Sequence, residues 1–181
     1  MTYQIIGTLS GIINLWLAAK QNRWCWPVGL IYIFASFVVL FEAKLYAQIG
    51  LHVVYLVLTL FGWYQWSKGE EGKQTALVVT RAKKSELLLL VLGTTVLGLG
   101  LGEVMSRNTQ NTTPHIDGVI AIASCAAMWL ATRKKLENWW FWFFINSAAI
   151  VMYGQQKLYF YMTLYAVFLG LAIWGYKRWK N

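Results

Sequence analysis

The chain has 181 residues, of which 58% are hydrophobic, 17% aromatic and 13% charged, with 16 Lys and Arg against 7 Asp and Glu for a net charge of +9. So much apolar surface cannot be hidden in a water-soluble core of this size. A soluble globular domain is therefore excluded, and the solvent is a bilayer, where about 20 apolar residues span the hydrocarbon. The positive balance requires no nucleic acid, because membrane topology and attraction to anionic lipid account for it.

Seven apolar stretches read as spans, and in lipid each must be helical, since the backbone finds no water to bond with. Span 1 covers residues 3–19 and carries an amide, Asn14. It lacks the basic n-region and small-residue cleavage site of a signal peptide, and is expected to stay in the mature protein. Span 2, residues 24–41, opens with Trp26 and Pro27. Span 3, residues 45–66, places Gln48, His52 and Tyr55 at i, i+4 and i+7 on one helical face. His52 alone reads equally well as a hydrogen bond between helices. Residues 67–86 form a polar loop too short for a catalytic domain.

Span 4, residues 87–105, holds Gly93, Gly98, Gly100 and Gly102. No strand precedes these glycines, so they are not a nucleotide fingerprint. Gly98 and Gly102 instead form a small-xxx-small face for close helix contact, within the chain or between copies. Residues 106–115 form a short outer loop with a glycosylation sequon at Asn111. Span 5, residues 116–132, contains Cys125, whose place in the span is too far from Cys25 for a disulfide. Span 6, residues 138–156, aligns Trp139, Trp142 and Asn146 at i, i+3 and i+7. An amide this deep is costly without a partner, and an amide beyond two indoles suits a flat, partly polar ligand. Span 7, residues 158–176, carries Tyr161 and Tyr165. Glu42, Glu103 and Asp117, at outer ends, are expected to be solvated, although at an entrance they would attract a cation.

Charge orients the chain. Loops 1, 3 and 5 and the C-terminus carry 13 of the 16 Lys and Arg, and the opposite side carries only Lys44, Arg107 and Lys157. The N-terminus is thus expected outside and the C-terminus in the cytoplasm.

The chain also repeats itself at an offset of 113 residues. Lys44-Leu45-Tyr46 returns as Lys157-Leu158-Tyr159, Gly62 as Gly175 and Trp66 as Trp179, with 9 identities in the 23 positions from Lys44 to Trp66. Upstream the offset pairs Trp26 with Trp139, and within the spans it sets Gln48 against Tyr161 and His52 against Tyr165. The expected architecture is an all-α integral membrane protein of seven transmembrane helices in a 3+1+3 arrangement. Its first three-helix repeat is 1–66, its linker region 67–115 and its second repeat 116–181. Because four spans separate their starts, the repeats run parallel about an axis along the membrane normal, as in SWEET-type carriers.

Across nearly its whole length the chain resembles the PnuC-type vitamin transporters. The residues that carry the resemblance are Trp26-Pro27-Val28-Gly29, Lys44-Leu45-Tyr46, Gly62-Trp63-Tyr64-Gln65-Trp66, Val79-Thr80-Arg81, Glu137 through Trp142, the second Lys-Leu-Tyr, and Gly175 through Trp179. The resemblance implies a bacterial inner-membrane protein, often trimeric, that facilitates diffusion of a vitamin or vitamin precursor trapped inside by a cytoplasmic kinase. Members of that family move nicotinamide riboside, and relatives move thiamine or riboflavin. It makes Trp139 and Trp142 the substrate-stacking motif, with Asn146 as polar companion. Gln48, His52, Tyr55, Tyr161, Tyr165 and Asn14 complete the expected substrate site. No catalytic residue, metal or cofactor is expected. A sugar carrier of the same plan and an intramembrane enzyme are the other classes; the second would need a nucleophile, acid–base pair or metal ligands at membrane depth.

Overall fold

A computed structural model describes residues 2–42, 46–68, 77–108 and 113–181. They form seven α-helices: α1 Thr2–Ala19, α2 Cys25–Glu42, α3 Tyr46–Ser67, α4 Lys84–Asn108, α5 Pro114–Thr132, α6 Asn138–Gln155 and α7 Tyr159–Lys180. Five of them, α2, α3, α4, α5 and α7, are long and apolar enough to cross a membrane. The other two carry polar residues turned inward, with Ser10 on α1 and Asn138 and Asn146 on α6 all buried. Large apolar side chains face outward instead, as on α4, where Leu89 is 71% and Val96 68% exposed. That inversion suits lipid as the surrounding solvent. The helices match the expected spans to within two residues, except that α4 runs three residues beyond 87–105 at each end and α7 continues four past residue 176. These extensions are rich in polar and charged residues, which a hydropathy reading leaves out of a span, although the α7 extension also carries the buried Trp179. Lys44, Leu45, Asn111 and Thr112 lie outside the described residues, so the first Lys-Leu-Tyr motif and the sequon have no structural counterpart here.

Six helices close a ring in the order α1, α2, α3, α5, α6, α7 and back to α1, and among the described residues α4 packs on α5 alone. Glycines set that last contact. A Cβ on Gly98 would meet the Val119 backbone, one on Gly102 the His115 backbone, and one on Gly118 the backbone of Gly98 and Gly102. The small-residue face of α4 is thus spent inside the chain. At the two ring junctions not made by consecutive helices, the partners run parallel. Tyr55 bonds to Ala121 and Trp66 to Ala131 as α3 and α5 advance together. Gly11 faces Phe168 and Ala18 accepts from Trp179 as α1 and α7 do.

The turns repeat as the sequence does. After α1, Gln21 adopts φ 56°, and after α5 its counterpart Lys134 adopts φ 49°. In each turn the left-handed residue donates to Ala18 O or Ala131 O, and the next residue donates to Leu17 O or Leu130 O. These are Schellman caps, which satisfy the carbonyls left free at a helix end. The segment before α4 is pinned across the second of them. Thr80 N donates to Lys134 O, Leu136 N to Thr80 O, and Ala82 N to a Glu137 carboxylate oxygen at 2.8 Å. Val79-Thr80-Arg81 is therefore a strap laid on the α5–α6 turn.

Candidate functional site

Inside the ring lies a cavity of about 440 Å³, within the range of small-molecule sites. Its base is made by four tryptophans. Trp26 and Trp66 meet edge to face at 5.5 Å and 86°, and Trp139 and Trp179 do the same at 5.3 Å and 89°. Trp66 and Trp179 lie 6.0 Å apart and join the two pairs. Glycine makes each pair possible: a Cβ on Gly62 would overlap the benzo edge of Trp26, and one on Gly175 that of Trp139. The hydrogen bonds cross over, since Trp66 Nε1 donates to Ala131 O on α5 and Trp179 Nε1 to Ala18 O on α1, both at 3.1 Å. Residues 18 and 131 are again 113 apart. Leu77 and Val79 of the strap pack against this cluster from the loop side. Lys134 holds its ammonium 4.6 Å from the centre of the Trp66 ring, and partial burial in the turn draws its pKa below the ordinary lysine value.

Above the base, the walls bring together most of the residues singled out by sequence. Trp139, Trp142, Asn146, Gln48, His52, Tyr55, Tyr165 and Asn14 all line the cavity. They differ in availability. Trp139 is 2% exposed and locked into the base. Trp142 is half-buried and packs against the cluster formed by Ala123 and Ala127 of α5 with Ile145. The Asn146 amide nitrogen is buried without a hydrogen-bond partner among the described residues. Asn14 is already engaged, its Nδ2 donating to Cys25 O at 2.6 Å and tying α1 to α2. His52 Nδ1 lies 2.9 Å from Gln48 O. A carbonyl only accepts, so Nδ1 carries the proton, and when the ring is neutral Nε2 is left as an acceptor. The Tyr55 hydroxyl donates to Ala121 O at 3.4 Å. Tyr161 is not on the lining. It stacks behind Tyr153, with ring centres 5.3 Å apart.

The lining also includes residues that sequence reasoning passed over. Tyr153 extends the span 6 stripe by two turns, at position i+14 from Trp139, so the same spacing rule would have found it. Trp26 was paired with Trp139 by the repeat but not given a place in the site. Asp117 corrects an expectation: it is half-buried and lines the cavity rather than lying in open solvent, and it is the sole carboxylate among the described lining residues. Glu42 and Glu103 are exposed as expected, the latter paired with Arg107 at 2.8 Å.

The sequence and the fold both have counterparts among known proteins. The chain is 25% identical over 202 residues to the nicotinamide riboside transporter PnuC of Escherichia coli K12, an alignment covering 98% of this chain and 84% of that one. It is 26% identical over 183 residues to the riboflavin/roseoflavin transporter RibM of Streptomyces davaonensis, covering 97% and 83%. The fold is similar to a crystal structure of the vitamin B3 transporter PnuC, with a TM-score of 0.75 at 22% identity over 97% of this chain and 79% of the other. A family model described as nicotinamide mononucleotide transporter matches residues 1–181. With a match over its full length, this multi-pass membrane chain belongs to the nicotinamide mononucleotide transporter family.

Proposed function

We propose that the chain is a facilitative transporter of the bacterial inner membrane for a vitamin or vitamin precursor, with nicotinamide riboside the first candidate and thiamine close behind. The observation that carries this reading is the cavity: a closed ring of helices around a space of about 440 Å³, with indole walls and an unpartnered amide. Both candidate cargoes bear a ring cation, which an indole face attracts. Trp142, the half-buried indole of the motif, is the stacking surface, and Trp139 closes the site from below. Asn146 and Gln48, with the Nε2 of His52, bond the ribose or pyrimidine edge. Tyr55 and Tyr165 shape the opposite wall, and Asn14 and Tyr161 hold their neighbours in place. Relatives named for nicotinamide riboside and for riboflavin transport support the cargo class.

The reading includes a 3+1+3 plan of two parallel three-helix repeats about α4, with the N-terminus outside. The 113-residue offset supports it, recurring in the paired turns, the paired Trp–Gly contacts and the crossed hydrogen bonds. The 13 to 3 division of Lys and Arg supports the orientation. Transport is then a rocking of one repeat against the other, and the two junctions that must yield are α3 with α5 and α7 with α1. A homotrimer and a cytoplasmic kinase that traps the cargo complete the proposal.

The test is ligand quenching of tryptophan fluorescence in the purified protein, with nicotinamide riboside, thiamine and riboflavin compared, followed by uptake into proteoliposomes. Saturable quenching by one of them, weakened about five- to thirtyfold in Trp142→Ala, is the expected result, since losing a ring–cation contact costs about 1–2 kcal/mol. Response to none of the three, uptake competed by sugars alone, or wild-type binding by Trp142→Ala would overturn it.

A further inference from the structure

A second hollow, of about 460 Å³, lies on the outside of α6 and α7 at the basic end of the bundle. Its walls are aromatic and aliphatic, formed by Trp140, Phe143, Ile173 and Tyr176, and two lysines of the last turn, Lys177 and Lys180, stand at its rim. Trp140 and Tyr176 meet edge to face at 5.3 Å and fix the upper wall. Trp139 forms the back of the groove and separates it from the central cavity.

The two lysines differ from their neighbours. At this end of the molecule Lys20 sits over Trp16, Lys68 over Tyr64, Arg133 over Trp129, Lys134 over Trp66 and Arg178 over Trp174. Lys177 and Lys180 are exposed, and among the described residues neither rests on a ring nor meets a carboxylate. A helix C-terminus favours cations in its last turn, which explains their presence on α7 but not the groove beside them.

The repeat supplies an internal control. Subtracting 113 maps Trp140, Tyr176, Lys177 and Lys180 onto Pro27, Trp63, Tyr64 and Ser67. The first half therefore has proline in place of the Trp140 indole and no cation at either lysine position, while Trp63 keeps an aromatic ring in the place of Tyr176. The duplicated frame does not require these side chains, which are particular to the second half.

We infer that the groove is a binding site for one anionic phospholipid, with its acyl chain along Phe143 and Ile173 and its headgroup phosphate between Lys177 and Lys180. The chemistry fits each part: lipid-facing apolar walls for the chain, an indole and a phenol at headgroup depth, and two cations for the phosphate. A zwitterionic lipid would fill the walls equally well but gain less from the lysines.

Native mass spectrometry on the purified protein, exchanged into equal amounts of phosphatidylglycerol and phosphatidylcholine of the same acyl composition, tests the site. One retained phosphatidylglycerol per chain is expected. In Lys177→Gln/Lys180→Gln its preference over phosphatidylcholine should fall about tenfold or more, each lysine contributing a severalfold share. In Lys20→Gln/Lys68→Gln, which removes the same charge at the same end, the preference should hold. Both variants change exposed residues, and helicity by circular dichroism verifies that each is folded. Retention without lipid preference, an unchanged preference in the Lys177/Lys180 variant, or an equal loss in the control variant would overturn the assignment. So would a groove found covered by a second copy, seen as an oligomer that Trp140→Ala dissociates.

Discussion

Trp26, Gly62 and Trp66 make the same contacts at the base of the cavity as Trp139, Gly175 and Trp179 do. The walls above them pair unlike residues at the same offset: Gly29 with Trp142, Ile33 with Asn146, Tyr55 with Phe168 and His52 with Tyr165. One exchange is compensated across helices. On the first side Asn14 is large and Gly29 small, so that a Cβ on Gly29 would come within 2.9 Å of the Asn14 amide. On the second side Ala127 is small and Trp142 large, and the indole packs against the cluster to which Ala127 belongs. The paired positions thus exchange large for small, with the polar group on α1 in one half and on α6 in the other, where the indole enters the wall. A ligand without two-fold symmetry needs unlike walls, and a joint that closes two like halves needs a like base. Identity between the halves marks the frame, and divergence marks the chemistry.

The comparison is broken most severely at the base. Gly62→Leu and Gly175→Leu each drive a side chain into an indole already fixed by a second tryptophan. Overpacking of a tight core costs about 1–3 kcal/mol, and with no flexible neighbour to give way these sit at or beyond the top of that range. Both variants should lower the thermal midpoint in detergent by similar amounts. A large inequality between them, measured by size-exclusion stability after heating, would mean that the two halves do not share the base equally.

The wall offers a change of opposite sign. Asn146→Leu gives position 146 the apolar character that Ile33 has in the first half. Among the described residues the Asn146 amide nitrogen is buried without a partner, and an unsatisfied buried polar group costs about 1–3 kcal/mol. The variant should therefore melt at a higher temperature than the parent while binding cargo more weakly in the fluorescence titration. If stability and binding fall together, Asn146 is part of the frame and not of the site.

These unlike outcomes follow the line between what the sequence shows and what it hides. The helices were legible because lipid leaves an apolar run no other backbone, and the frame was legible because Trp26/Trp139 and Gly62/Gly175 repeat as identities. The Trp139, Trp142, Asn146 stripe was legible from spacing alone. Ring closure was not. α3 and α7 are apolar on nearly every face, so nothing in their periodicity says that α3 packs on α5 and α7 on α1. The same blindness hid Asp117, which by span position belongs to an outer end but by ring geometry turns into the cavity. It also placed Tyr161 in the site by arithmetic from Gln48, although the tyrosine stands one layer back, behind Tyr153. An offset finds equivalent backbone positions. It cannot say which of two diverged side chains reaches the ligand.

The finest test lies in the crossed hydrogen bonds, because they tie α3 to α5 and α7 to α1 at the base of the cavity. Trp66→Phe removes the bond to Ala131 O, and Trp179→Phe the bond to Ala18 O. Phenylalanine keeps an aromatic ring in the cluster, so each substitution removes a net hydrogen bond of about 1 kcal/mol with some lost contact area. If the proposed halves rock about these junctions, the bonds hold the base closed, and each variant should speed exchange between cavity-closed and cavity-open states while shifting the midpoint only slightly. A thiol placed at Ala131 or Ala18 and probed with a water-soluble maleimide reads that opening directly. Labelling should rise severalfold when the tryptophan opposite is phenylalanine, and to the same degree at both junctions. A rise at one junction and not the other would show that the base opens as a hinge on one side, with the like contacts of the two halves serving unlike mechanical roles.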